Sequence, residues 1–214
     1  MVEKNEALYR KLLILIYGIL LLISVVIGSA IVVRYKNNMK QQLQARMLDV
    51  LKVAGALLDG DVLESLQARD KDTDGYKKTY ETLRVFQENF NLNYIYLVRD
   101  MKDGTFSFTI DPDPVSPGAF GEPVESTDAL INASNGIPSF DSEPYEDRWG
   151  RFYSAYSPIF DSKGKVGGII AVDIDAKQYE NQVWEYILST VIISIISIFA
   201  GGIIFFLIVT YTKE

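Results

Sequence analysis

Two uninterrupted apolar runs, residues 12–33 and 187–209, enclose a segment in which apolar positions recur with helical and strand periods. Each run exceeds the ~20 residues that a helix needs to cross a ~30 Å hydrocarbon core, and neither holds a charged side chain. Two spans return the chain to the side it started from. The pattern therefore predicts a tail over 1–11, a first span over 12–33, one folded domain over 34–185, a second span over 186–211 and a short end at 212–214. Gly28-Ser29-Ala30 offers small residues of the kind found at signal cleavage sites, but the apolar run continues through Ile31-Val32-Val33. That length exceeds a signal peptide's apolar core, so the first span is expected to stay as an anchor.

Beyond the first span, residues 35–58 favour helix, with Leu43, Met47, Val50, Ala54 and Leu57 at alternating spacings of four and three. Such a seam suits pairing with a second copy in a homodimer, and it suits burial against the chain's own domain equally. Asp59-Gly60-Asp61 breaks the helix, a helical turn follows through Leu66, and 70–75 reads as a polar loop before a helix over 76–90. Residues 94–99 and 106–110 are rich in β-branched and aromatic side chains, and Asp103-Gly104 between them signals a hairpin. The prolines from Pro112 to Pro123 mark a long loop, and 127–135 predicts a helix closed by Gly136. Residues 151–160 and 166–174 form a last strand pair around Asp161-Ser162-Lys163-Gly164, and 177–185 leads helically into the second span. This order predicts an α+β domain with helices packed on an antiparallel sheet.

The chain contains neither His nor Cys. That removes His/Cys zinc sites, thiol chemistry, disulfides, imidazole triads and a phosphoacceptor histidine. The chain is expected not to be an enzyme and to carry no cofactor. Since only five residues follow Val209, any kinase or cyclase output is expected elsewhere. Residues 34–185 hold 17 Lys and Arg against 25 Asp and Glu, an acidic balance that repels phosphate backbones, so nucleic acid is not an expected partner. Cations flank the first span on both sides, Arg10 and Lys11 before it and Arg34 and Lys36 after it, so positive charge does not orient it. Between Asp111 and Asp147 lie nine acids and no base. They form either a solvated, loop-rich face or a rim that draws a cationic ligand or a metal ion.

Several blocks resemble a known family: Asn93-Tyr94-Ile95-Tyr96, Asp111-Pro112-Asp113-Pro114, Glu143-Pro144-Tyr145 through Arg148-Trp149-Gly150, Ser154-Ala155-Tyr156-Ser157-Pro158-Ile159, and Gly164 through Val172-Asp173-Ile174-Asp175. Together they are similar to the Cache, or PDC, class of PAS-like sensor domain. The resemblance implies a PAS-like antiparallel sheet with a long N-terminal helix, flanked by two transmembrane helices. It also implies an extracytoplasmic domain in the inner membrane of a bacterium, part of a histidine kinase, chemoreceptor or diguanylate cyclase. The cytoplasmic output domain of such receptors is missing from these residues, and the aromatic and Arg spacing of the amino-acid-binding branch is not reproduced.

Read from the residues, Phe152, Ser154 and Tyr156 share one strand face, and Asp173 is expected at the end of the adjacent strand with Ile169 and Ala171 on its side. A zwitterionic small molecule would find Asp173 or Asp111 for its ammonium, Arg148 for its carboxylate, and Trp149 and Tyr156 as aromatic walls. Ordinary core aromatics, a surface Arg and a turn-capping Asp account for the same residues. Asp70, Asp72, Asp74 and Glu81 fit the spacing of an EF-hand calcium loop. Lys77, Lys78 and the lack of an entering helix point instead to a solvated loop whose Asp72 or Asp74 caps the next helix. The function expected is the sensory input region of a membrane receptor, binding a small extracellular ligand. The alternatives are a short membrane protein that regulates a separate signalling partner, and a calcium-dependent structural module.

Overall fold

The first apolar run and the heptad seam merge into one helix, α1, Val2–Gly55. The computed structural model describes residues 2–211, with side chains from Leu8 onward, and the expected end at 212–214 lies outside the described residues. The chain divides into two compact units, Gln41–Tyr179 and the flanking segments on either side of it.

In the flanking unit, the first part of α1 pairs with α5 (Ala176–Tyr211). Both helices are long and apolar enough to cross a membrane. Their contacts follow antiparallel order. The Tyr35 ring stacks on Tyr186 at 3.5 Å, Gly28 lies beside Ser194, and Tyr17 stacks on Phe205 at 5.0 Å. The Tyr17 hydroxyl also donates to the Ile198 carbonyl oxygen at 3.0 Å.

In the central unit, Asp59 ends the irregular turn after α1 and caps α2 (Gly60–Ser65) by accepting from the Asp61 and Val62 amides. Thr73 caps α3 (Asp74–Asn89) in the same way. The strands are β1 (Tyr94–Asp100), β2 (Phe106–Ile110), β3 (Pro123–Val124), β4 (Ser139–Phe140), β5 (Tyr145–Asp147), β6 (Gly150–Phe160) and β7 (Val166–Asp175), with α4 (Asp128–Ser134) between β3 and β4. They form one antiparallel sheet in the order β3-β2-β1-β7-β6-β4, and β5 also pairs with β6. Strand alternation sorts the core into two sides. Ile95, Leu97, Ala155, Ile170 and Val172 face Met47, Val50, Leu51 and Ala54 of α1, Leu63 of α2, and Leu83 and Phe86 of α3. Tyr96, Val98, Phe108, Tyr156, Ile169 and Ala171 face Ala129, Leu130 and Ala133 of α4.

The predicted α+β architecture is present, and its departures have local causes. The polar loop at 70–75 is instead a 3₁₀ turn over Ala68–Asp72, held by Asp70 accepting from the Gln67 amide, and Asp74 already opens α3. Three short strands lie in segments read as loop, because two or three residues carry no period to detect. The seam is divided: Met47, Val50 and Ala54 are buried on the chain's own sheet, whereas Leu57 lies past the end of α1 and is exposed. Burial within the domain therefore accounts for most of the stripe. Asp173 does not end its strand; β7 continues to Asp175, and Asp173 is buried with Ser154 directly across from it.

Candidate functional site

The register of the sheet creates the site. β7 is central, so Asp173 is flanked by Tyr94 of β1 and Ser154 of β6. Side chains at i and i±2 on the same face bring Tyr96 and Tyr156 alongside. Asp173 is 3% exposed. Its Oδ1 accepts from Ser154 Oγ at 2.5 Å and from the Tyr96 hydroxyl at 3.4 Å. No described residue donates to its Oδ2. Burial is the main force on this carboxyl and pushes it up to about 8, with Asp147 and Asp141 adding to the rise and the bonds from Ser154 and Tyr96 opposing it. At neutral pH it is therefore mostly a neutral acid.

A narrow cleft opens above Asp173, lined by Tyr94, Tyr96, Phe108, Asp111, Asp147 and Trp149. Its walls leave room for about one water-sized group. Asp147 anchors the tight turn into β6, accepting at Oδ1 from the Trp149 amide at 2.8 Å and the Gly150 amide at 3.1 Å. Gly150 has φ +146, a conformation that side chains disfavour. That turn projects Trp149 over the cleft, 5.3 Å from Phe108 between ring centroids.

The loop after β2 closes the mouth. Asp111 accepts from the Asp113 amide at 2.9 Å and, through Oδ2, from the Gly118 amide at 2.7 Å. Burial still leaves this carboxyl raised, against the pull of those two bonds. Trp149 Nε1 donates to the Ser116 carbonyl oxygen at 2.7 Å. Gly118 is pressed on Phe108 so closely that an added Cβ would lie 2.6 Å from its ring.

Of the residues singled out in the sequence, Asp173, Asp111 and Trp149 line this cleft together. Tyr156 does not: it is fully buried beneath α4, next to Asp141, whose carboxyl is raised to about 6 chiefly by burial. Arg148 lies outside the lining. Its guanidinium stacks 3.9 Å over the Trp149 ring and pairs with Glu122 at 2.7 Å, so it braces the rim and points no charge inward. Asp70, Asp72, Asp74 and Glu81 do not converge as calcium ligands. Asp70 is bound to a backbone amide, Glu81 is paired with Arg84, and among the described residues no three acids are placed to hold a metal ion. Sequence reading missed Tyr94, Tyr96, Phe108 and Asp147; the alternation that puts Tyr94 and Tyr96 on one face of their strand was the available signal.

No family model and no curated protein matches the chain. Solved structures do. The sensor domain of Escherichia coli DcuS aligns with 68% of this chain and 97% of its own length, at 16% identity and a TM-score of 0.50. The ligand-binding domain of the Campylobacter jejuni chemoreceptor Tlp3, in complex with L-valine, aligns at 16% identity and TM-score 0.36, over 69% of this chain and 66% of its own length. The periplasmic sensory domain of the chemoreceptor Tlp1 from the same organism aligns at 17% identity and TM-score 0.41, over 69% of this chain and 59% of its own length. This chain thus spans less than two thirds of either chemoreceptor domain and nearly all of the DcuS one. The central unit has the fold of the DcuS sensor domain, consistent with the Cache-type resemblance of its sequence.

Proposed function

We propose that this chain, with its Cache-type fold between two helices able to cross a membrane, is the sensory input region of a bacterial receptor. In this reading residues 34–185 lie outside the inner membrane, both termini lie in the cytoplasm, and the central unit binds a small extracellular molecule. It acts as a homodimer and passes the signal to an output domain or a separate signalling partner. The chain itself is not an enzyme. The observation that carries the reading is the cleft on the α4 side of the sheet, where Asp111, Asp147 and Asp173 converge among aromatic walls beneath a loop.

The mechanism is a population shift, because a ligand moves an equilibrium only by binding one arrangement better than another. In the closed arrangement the cleft holds about one water-sized group, so a larger ligand selects an arrangement in which the 111–122 loop has lifted. That costs the Trp149–Ser116 and Asp111–Gly118 hydrogen bonds, the backbone bonds between Phe108 and Gly121 and Glu122, and the exposed Arg148–Glu122 pair, together on the order of 4–5 kcal/mol. Binding energy in the micromolar range, about 8 kcal/mol, exceeds this.

The test is a melting screen of the full chain in nanodiscs against a panel of amines, amino acids, organic acids and sugars. A compound at a hundredfold excess over its Kd adds about 2.7 kcal/mol, and Trp149→Ala should remove its effect. A panel with no stabilising member, or a hit indifferent to Trp149→Ala, removes the cleft from this role. Alkaline phosphatase fused after residue 120 should be active, and an inactive fusion would invert the topology.

A further inference from the structure

We infer that the 111–122 loop is a strap that carries the opening of the cleft around the edge of the sheet to α2, with Phe120 and Arg99 as the relay. This rests on the sensor reading, in which the same loop lifts, and adds the path by which that movement reaches the helix side. Three observations carry it. First, the loop is fastened on both faces of the sheet. On the α4 side Ser116 accepts from Trp149 Nε1, and Gly118 presses on Phe108. Phe120 packs instead into the opposite cluster, with α1, α2 and α3. The crossing lies beside β2, beyond which the sheet holds only the two-residue β3 that follows the loop.

Second, Phe120 covers the guanidinium of Arg99, which lies 5.8 Å from its ring centroid. Third, the same guanidinium donates through Nη2 to the Leu63 and Leu66 carbonyl oxygens at 2.7 and 2.8 Å. These belong to the last turn of α2 and its C-cap, where carbonyls have no partner within the helix. Among the described residues no carboxylate pairs with Arg99, so the two carbonyls and the ring are its partners. Burial accordingly pulls this guanidinium below its ordinary range.

A cation and its hydrogen bonds are held more strongly under a cover of low dielectric than in water. Phe120 is that cover while the strap is down. Once the strap lifts, water reaches the guanidinium and competes for it, and the carbonyls at the end of α2 lose their donor. At six residues α2 is too short to hold its helical form alone. Its attachment at this end therefore depends on Arg99 and on Leu63 and Leu66, both buried. The strap thus loosens α2 without any strand shifting in the sheet between the two faces.

The experiment is hydrogen exchange, read by mass spectrometry on peptides 57–67 and 111–122 of the full chain in nanodiscs, with no ligand added. Trp149→Phe keeps a ring beside Phe108 and deletes the bond to Ser116, which changes the opening equilibrium by about fivefold. Exchange should rise by about that factor over 111–122 and measurably over 57–67. In an Arg99→Gln or Phe120→Leu background, Trp149→Phe should still raise exchange over 111–122 and should no longer move 57–67. Phe120→Tyr, which keeps the ring face over Arg99, should retain the parental response of both peptides. If 57–67 stays unchanged while 111–122 responds, or responds as strongly with Phe120→Leu as with the parent, the inference is overturned and the sensor reading stands. If 111–122 itself does not respond, the inference falls together with the lifting of the loop.

Discussion

Replacing Asp173 with Asn tests the central electrostatic claim without any ligand. Asparagine has the shape of a protonated aspartic acid, and its carbonyl oxygen can keep accepting from Ser154 and Tyr96. The wild-type carboxyl has a folded value near 8 and an unfolded one of about 3.9. Because the folded value is raised, the stability linked to this group is fully present below about pH 4 and is lost progressively as pH climbs through 8. Within that window each pH unit costs about 1.4 kcal/mol, so from pH 5 to pH 7 the parent should lose roughly 3 kcal/mol that Asp173→Asn does not lose. For a unit of this size that is a melting-temperature gap widening by about 5–10 °C. Melting curves of both full-length proteins in nanodiscs, taken at half-unit intervals from pH 5 to 8, read the difference. Asp141, raised to about 6 by burial, titrates in both proteins and largely cancels. Curves that stay parallel across the range would refute the argument, since they would mean that Asp173 is solvated and ionised throughout.

Three further outcomes follow from packing. Met47→Ala should destabilise the central unit by about 2–5 kcal/mol, because its side chain is fully enclosed between α1 and the sheet; a surface-like loss measured by chemical denaturation would return this residue to a dimer seam. In this Cys-free chain, cysteines at Val53 and Leu57, each more than half exposed, should react with a maleimide quickly, and cysteines at Met47 and Ala54 slowly; equal rates would contradict the division of the stripe. Gly60→Ala should cost about 1–3 kcal/mol or more, because its Cβ would lie 2.2 Å from the Phe160 carbonyl oxygen; an unchanged melting temperature would mean that α2 does not sit this close to β6.

The strongly periodic parts of the fold were legible. Residues 106–110 alternate between two turn signals, and β2 occupies those positions; α4 begins after its Thr127 cap and stops before Gly136, whose φ of +87 is the left-handed turn the sequence suggests. The site was legible only in part. Trp149 and Asp173 stand out as single residues, but what makes Asp173 unusual is its neighbours, and those depend on β7 lying between β1 and β6. Sequence periodicity gives faces and not strand order, so Tyr94 and Ser154 could not be placed on either side of it. Arg148 misled for a related reason: adjacency to Trp149 in sequence says nothing about which surface of the ring the guanidinium takes. The heptad seam was ambiguous because a dimer interface and a sheet-facing helix require the same spacing of apolar residues.

The bond from Tyr17 to the Ile198 carbonyl oxygen sets a mechanical limit on the pair of apolar helices. A helix advances 1.5 Å per residue, so sliding one helix along the other by a single residue carries a 3.0 Å hydrogen bond beyond its working range. Where the surroundings are hydrocarbon, no water replaces the lost partner, and a contact of this kind is worth about 0.6–2 kcal/mol. The Tyr35–Tyr186 stack, 3.5 Å apart, adds a second tooth to the same ratchet. The two teeth must slip together, so small axial forces on either helix are transmitted to its neighbour as a common displacement, and relative sliding begins only above a threshold. Tyr17→Phe removes one tooth while leaving the ring in place, which makes the threshold itself adjustable.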